Sequence, residues 1–195
     1  RAAEGVAISP LFATLINGGA DGAIGVLSGD PVTHYLEGHS PVTMTNMPER
    51  IQFALAVDLN NDEQQELILS GPTTAIMQFD GTNWTPMAQL PPYQRAAAAD
   101  IDHDGDLDLL LMDTEKHYLL ANDGQAGFSD VTASSTMGGV SPIRRVVFSD
   151  FDDDRDVDFF ALSDTAVHLY SNNRDGTFSD LAPTLGLPQI EAQTL

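Results

Sequence analysis

Short apolar runs alternate along this chain with polar, acid-rich turns, and the alternation returns at a regular spacing. In the clearest stretch a small apolar run at Ala96–Asp100 leads into an acidic loop. An apolar run at Leu107–Met112 follows, then a mixed aliphatic and aromatic run at His117–Ala121. A turn, "NDGQ", leads to a fourth run, "GFSDVT". Runs of this length bounded by Asn, Asp and Gly predict β-strands, and the Asp-Gly pairs supply the positive φ that tight hairpins need. No segment sustains a helical period. The four alanines at 96–99 are good helix formers by themselves, but the Asp-rich loop after them offers no helical continuation, so a strand is expected there.

The whole unit recurs. The middle copy, "AAAADIDHDGDLDLLLMDTEKHYLLANDGQAGFSDVT", is matched by "VVFSDFDDDRDVDFFALSDTAVHLYSNNRDGTFSDLA" and by the earlier "FALAVDLNNDEQQELILSGPTTAIMQFDGTNWTPMA". The first loop position is Asp58, Asp100 or Asp150, and the ninth is Glu66, Asp108 or Asp158. A fourth, degenerate copy places Leu15, Asn17, Gly19, Asp21 and Ala23 at the odd positions, so it keeps the fold signal and loses the charges. Four antiparallel strands per 42–50 residues, in tandem, is the spacing of a β-propeller. The expected fold is therefore all-β: a single β-propeller region over 1–195, with about four four-stranded antiparallel blades near 7–49 (degenerate), 50–92, 93–142 and 143–187.

Charge sharpens this picture. The chain holds 29 Asp and Glu against eight Lys and Arg, a net charge of −21. Fifteen of the acids fall in three nine-residue windows, 58–66, 100–108 and 150–158, whereas a merely solvated surface would spread them. Two carboxylates ~4 Å apart repel by roughly 1 kcal/mol even in water, and too few cations exist in the chain to offset such clusters. The loops therefore point to a bound metal ion. Alternating carboxylates on a tight loop suit Ca²⁺, which takes six to eight oxygen ligands at flexible geometry, better than Mg²⁺, which insists on a compact octahedron. An EF-hand is excluded, because it needs a Glu at loop position twelve between helices and Leu111 stands there inside an apolar run.

The acidity also argues against nucleic acid or anionic lipid as partners. No run of 18 apolar residues occurs, so membrane insertion is not expected. With no cysteine, a disulfide scaffold and a thiolate site are both ruled out.

The unit resembles the FG-GAP/VCBS repeat of integrin α-subunit propellers and of many secreted or surface bacterial proteins. The phrase "LYSNNRDGTFSDLAPTLGL" is most similar to the UnbV/ASPIC-type members. The resemblance implies a propeller, usually seven-bladed, a D-x-D-x-D-G-x-x-D loop that binds Ca²⁺, and work in adhesion, ligand recognition or scaffolding rather than chemistry. In the middle loop it assigns side-chain oxygens to Asp100, Asp102, Asp104 and Asp108, and a main-chain carbonyl to Asp106, with Gly105 permitting the sharp turn. In the last loop the set is Asp150, Asp152, Asp154, Asp156 and Asp158, but Arg155 replaces the glycine, at roughly a kilocalorie of strain. Its guanidinium is expected to stand in partly for an ion. In the first loop the side-chain set is Asp58, Asn60, Asp62 and Glu66, one charge poorer, with Gln64 at the carbonyl position and Glu63 at the glycine position. Two Ca²⁺ ions are expected, with a third at 58–66. They should act as structural rivets between the first two strands of each blade.

Other signals read as packing. His117 and His168 fall at nearly equivalent places in the third strand, and His103 occupies a non-ligand loop position. Trp84, Phe128 and Phe178 recur at one repeat position and read as inter-blade core. No H-E-x-x-H, G-x-S-x-G or P-loop motif is present. The expectation is a non-enzymatic, calcium-binding module that binds a protein or glycan ligand or scaffolds. It would lie outside the cell, in the periplasm or at the cell surface. The alternative is a lectin-like propeller or the propeller part of a carbohydrate-active enzyme. Four units against the usual seven favour a segment of a larger propeller over a closed four-bladed ring, with self-association expected through open blade edges.

Overall fold

The structure, a computed structural model, describes residues 51–80, 83–137 and 141–188, together with the backbone of four N-terminal strands. Those are β1 (Leu15–Asn17), β2 (Ile24–Ser28), β3 (Thr33–Leu36) and β4 (Val42–Thr43). Twelve more strands and one helical turn follow. They are β5 (Phe53–Val57), β6 (Glu66–Ser70), β7 (Thr74–Phe79), β8 (Trp84–Leu90), β9 (Arg95–Ala99), β10 (Asp108–Met112), β11 (His117–Asn122), β12 (Phe128–Asp130), β13 (Ile143–Ser149), β14 (Asp158–Ser163), β15 (Val167–Asn172), β16 (Phe178–Asp180) and α1 (Ala182–Leu185).

The strands form four four-stranded antiparallel sheets, each a meander of consecutive strands, and the fold is of the β-propeller type. The alanine run pairs as a strand, with Ala99 opposite Asp108 and Ala96 opposite Leu111. Pairing with the leucine-rich β10 outweighs the helical preference of alanine, because a strand edge recovers every backbone hydrogen bond that the acidic loop would deny a helix. Pro86 sits in β8, the edge strand of its sheet, where its missing N–H costs nothing, and β8 bulges beside it, with Met87 the extra residue opposite the Ile76–Met77 step. Among the described residues, only α1 departs from the all-strand expectation. It is a single turn stopped by Gly186 at φ 67°.

The chain divides into two compact units, one of residues 1–58 and 62–92, the other of 59–61 and 93–195. In the first, Ile51, Leu67, Leu69, Ala75, Met77 and Trp84 form a buried cluster, with Phe79 against Trp84 at 5.2 Å between ring centroids. In the second, Leu110, Met112 and Leu119 of the third sheet meet Phe159, Ala161, Tyr170 and Phe178 of the fourth. The rings of Phe159 and Phe178 are edge-on at 5.1 Å. Trp84 and Phe178 are thus core, as their shared repeat position suggests, but Phe128 is only half-buried.

The two histidines are not equivalent. His117 pairs with Met112, and His168 with Ala161, so His168 corresponds to Tyr118 rather than to His117. Side chains alternate across a strand, so this one-residue offset puts the two rings on opposite faces. His117 is buried and bonds the Met137 carbonyl, whereas His168 stacks on Tyr170 and pairs with Asp180.

Candidate metal centres

Each acidic loop joins the first strand of a sheet to the second, and the same local geometry builds all three. The fourth and sixth loop residues adopt positive φ: Asn61 (56°) and Glu63 (68°), His103 (65°) and Gly105 (97°), Asp153 (61°) and Arg155 (76°). Only one of these six is glycine. The two left-handed residues curl the main chain so that its amides face inward, where the aspartates collect them. Asp58 accepts from the amides of Asp62 and Glu63, Asp150 from those of Asp154 and Arg155, and Asp100 from that of Gly105. The fifth residue caps the seventh: Asp104 takes the amide of Asp106, Asp154 that of Asp156 and Asp62 that of Gln64. These bonds offset the unfavourable φ values, about a kilocalorie each.

The ninth residue ties the loop to the sheet. Asp108 accepts from the amides of Ile101 (2.8 Å) and Asn122 (2.9 Å), and Asp158 accepts in the same way from Phe151 and Asn172. Both carboxyl groups are almost fully buried, as is Glu66 in the first loop. Burial, reinforced by the charges of Asp102 and Asp104 and opposed by the two amides, pushes Asp108 up to about 6. Desolvation and then the Asp104 charge raise Asp102; desolvation and then Asp154 and Asp158 raise Asp152. These are sites short of positive charge.

Among the described residues, two carboxylate groups converge closely enough to share an ion. Asp150, Asp152, Asp154 and Asp158 each bring an oxygen within 4.8 Å of the others, and so do Asp100, Asp102 and Asp108. Asp104 stays outside the second group. One oxygen of Asp100, Oδ1, is shut off from solvent and accepts no hydrogen bond, which is the environment a cation relieves. The donor set, all hard oxygen on a flexible loop, fits Ca²⁺. Asp58, Asn60, Asp62, Gln64 and Glu66 share the loop fold without a comparable carboxylate group, and Asp62 is also approached by Gln78 at 3.4 Å.

The seventh position uses its side chain elsewhere. Asp106 Oδ1 accepts from Asn61 at 2.5 Å, and Asp156 is held by the guanidinium of Arg174, so in both loops the main-chain carbonyl is what remains for an ion. Arg174 also donates to the main-chain oxygen of Asp154. The cation expected from Arg155 thus comes from Arg174. Arg155 is spent as the left-handed residue of the loop, while Arg174 lies in the turn between β15 and β16 and reaches in from outside. No feature of the loop sequence signals this, because the contact spans 18 residues.

One arrangement escaped sequence reasoning entirely. His168 Nδ1 lies 2.7 Å from Asp180, and its Nε2 lies 3.2 Å from Ser163 Oγ. The order is that of an acid, a base and a nucleophile. Yet Ser163 is buried, its hydroxyl donates to the Ala166 carbonyl, and it accepts from the amides of Thr165 and Ala166. These bonds staple the β14–β15 turn.

Comparison with known proteins fits this geometry. Residues 150–193, which include the better-formed carboxylate group, match the model of the FG-GAP-like repeat. This stretch is an FG-GAP-like repeat. Loops of the same local geometry, between equivalently paired strands, recur at 58–66 and 100–108. No curated protein matches the chain. Among solved structures, an Agrocybe aegerita lectin with specific recognition of non-reducing terminal N-acetylglucosamine aligns over 91% of this chain and 52% of its own, at 13% identity and a TM-score of 0.60. The Photorhabdus luminescens Tc holotoxin pore aligns over 86% of this chain and 9% of its own, at 15% identity and a TM-score of 0.45. The chain thus spans about half the length of the lectin it matches. No helix among the described residues is long and apolar enough to cross a membrane.

Proposed function

We propose that this chain is a calcium-binding, non-enzymatic β-propeller module that engages a protein or glycan ligand in an extracellular, periplasmic or cell-surface setting. One observation carries the reading: two carboxylate groups converge at equivalent strand junctions, 50 residues apart, in a chain short of cations. Asp100, Asp102 and Asp108 would hold one ion, with the Asp106 carbonyl. Asp150, Asp152, Asp154 and Asp158 would hold the other, with the Asp156 carbonyl. The ions neutralise charges that otherwise strain the loops, and so lock the first strand of each sheet to the second. At millimolar calcium and a Kd on the order of 0.1 mM, each site adds about 1.4 kcal/mol.

Calorimetric titration with Ca²⁺, paired with thermal melts with and without chelator, tests this. Two bound ions and a higher melting temperature are expected. A chelated sample that melts at the same temperature as a saturated one would sink the structural role.

A glycan-binding reading has its own observation. A cleft of about 460 Å³ opens between the loop ends of the third and fourth sheets, lined among others by Asp102, His103, Arg155, Asp156 and Arg174. Its volume suits a small ligand, charged side chains stand among apolar surface on its walls, and the fold is shared with a lectin. Glycan binding lost in Arg155→Ala at unchanged melting temperature would support it. No binding across a glycan array would remove it.

A further inference from the structure

Three of the chain's eight Lys and Arg residues meet at one place. Arg95, Arg144 and Arg145 line a cleft of about 290 Å³ between the starts of β9 and β13, with Gln94, Met112, Asp113 and Ile143. Arg95 and Arg145 hold equivalent repeat positions, each five residues ahead of the first loop aspartate, Asp100 or Asp150. Arg95 pairs with Met112, so its side chain leaves the sheet on the face that packs against the fourth sheet. On β13 a bulge supplies the other two. Ile143 pairs with Ser163 and Arg145 with Leu162, which leaves Arg144 as the extra residue. Ile143 and Val146 both belong to the core, and in an unbroken strand Arg145 would share the face of Ile143 and be buried with it. The bulge therefore keeps both arginines at the rim.

The three guanidinium groups are not used alike. Arg144 grips Asp164 through Nε and Nη2, at 2.7 and 2.5 Å, and donates from Nη1 to the Asp113 carbonyl at 3.1 Å. Three of its five N–H groups are thus spent and two remain. Arg95 and Arg145 are exposed and, among the described residues, make no ion pair and no side-chain hydrogen bond. Three arginines against the carboxylates of Asp113 and Asp164 leave one positive charge, in a chain of net charge −21. The acidic loops do not cancel it. Five residues of strand separate Arg95 from Asp100, about 16 Å, against a Debye length of about 8 Å at physiological salt.

We propose that this cleft binds an acidic sugar residue, one that carries a single carboxylate or a single sulfate ester. One negative charge balances the cleft, where a phosphate monoester would bring nearly two. Guanidinium groups recognise such oxyanions through paired N–H donors. The rest of the lining suits a sugar ring. Met112 and Ile143 give an apolar floor for its C–H face, and the Gln94 amide can meet a hydroxyl group. Thr114 takes Oδ1 of Asp113, which leaves Oδ2 for another hydroxyl. The volume lies at the small end of ligand sites, the size for one ring. The proposal rests on the glycan-binding reading only for the class of ligand. The cleft lies at the opposite strand ends from the acidic loops and needs no calcium.

Titration of the full chain with galacturonate and with a glucose sulfate, in the presence of chelator and followed by ligand-detected NMR, tests this. At least one of the two acids should bind. The uncharged counterpart, the methyl ester of galacturonate or plain glucose, should bind at least about tenfold more weakly. Arg95→Gln should weaken binding at least about tenfold and Arg145→Gln several-fold, both at the parent's melting temperature, since neither side chain has a partner to lose. Lys116→Gln, at a cation of the β10–β11 turn that does not line the cleft, should leave binding unchanged. No binding of either acid would overturn the proposal, as would equal binding of acid and uncharged counterpart, or an affinity unchanged in Arg95→Gln. A blocked dipeptide of two glutamates that binds more tightly than both sugars would overturn the sugar assignment. Should Arg95→Gln not fold, Arg95→Lys decides. It keeps the charge and loses the fork, so several-fold weaker binding is expected, and unchanged binding would count against the site. The calcium titration and the Arg155→Ala test read other parts of the molecule, so their failure is distinguishable from the failure of this cleft.

Discussion

Asn172 Nδ2 donates to the main-chain oxygen of Ile101 at 2.7 Å, across 71 residues of sequence. The same amide group reaches the Val157 carbonyl, and the Asn172 backbone amide bonds Asp158, so one residue joins its own loop to the loop of the preceding sheet. Asn122 repeats the arrangement with Leu59, Leu107 and Asp108.

Asn172→Leu should therefore destabilise the second unit by about 2 kcal/mol, since it strands buried carbonyls without a donor. Urea denaturation followed by circular dichroism measures the loss. Asn173→Leu, at the neighbouring position, removes only exposed bonds, with Thr177 and Ser179, and should cost clearly less.

The ion sites predict an inversion between calcium-loaded and ion-free protein. Asp102→Asn and Asp152→Asn should each lower the number of bound Ca²⁺ by one in calorimetry. In chelator the same variants should melt no lower than the parent, because each removes a carboxylate whose ionisation desolvation, and then its neighbours, oppose. Ion-free variants that unfold well below the parent would show that these side chains act through other contacts.

Arg174 should act in two directions. Its guanidinium holds Asp156 and lies 3.9 Å from an oxygen of Asp154. Arg174→Gln removes a cation from the rim of the last site, so Ca²⁺ should bind there several-fold more tightly while the ion-free protein loses stability. The middle loop, which lacks this arginine, should titrate unchanged.

His117 gives the chain an acid-sensitive point. Burial holds its imidazole below the ordinary 6.5, with a weaker contribution from His168. Below about pH 6.5 the unfolded chain takes up a proton that the folded chain resists, so the term is absent above that pH and erodes stability below it. The loss levels off once the folded imidazole also protonates. His117→Gln should lose less stability than the parent between about pH 7.5 and about pH 5.5. Equal losses in parallel urea titrations would dismiss the effect.

Much of the scaffold is legible in the sequence because it rests on local chemistry. The Asp-rich windows announce their loops, and the strands begin and end within a residue or two of the runs that predict them, as at His117–Asn122. The left-handed sixth residue is legible at Gly105 alone. Glu63 and Arg155 adopt the same conformation only because the carboxylates of Asp58 and Asp150 hold their amides. The fourth loop position, left-handed in all three copies, carries no glycine to mark it.

By itself the sequence determined the repeat, the all-β meander, and the nine-residue loops with their alternating oxygen donors. Each depends on neighbours close in the chain: strand periodicity, turn residues, and amides within five positions of the aspartate that accepts them. Only the tertiary structure decided that Asp154 joins its cluster while Asp104 does not, that Arg174 rather than Arg155 enters the last loop, and that His117 and His168 face opposite ways. It also decided that Leu110 is buried while Phe160, its counterpart, is open. These depend on what a neighbouring strand or sheet presents in three dimensions, and a repeat repeats its own residues without repeating its neighbours.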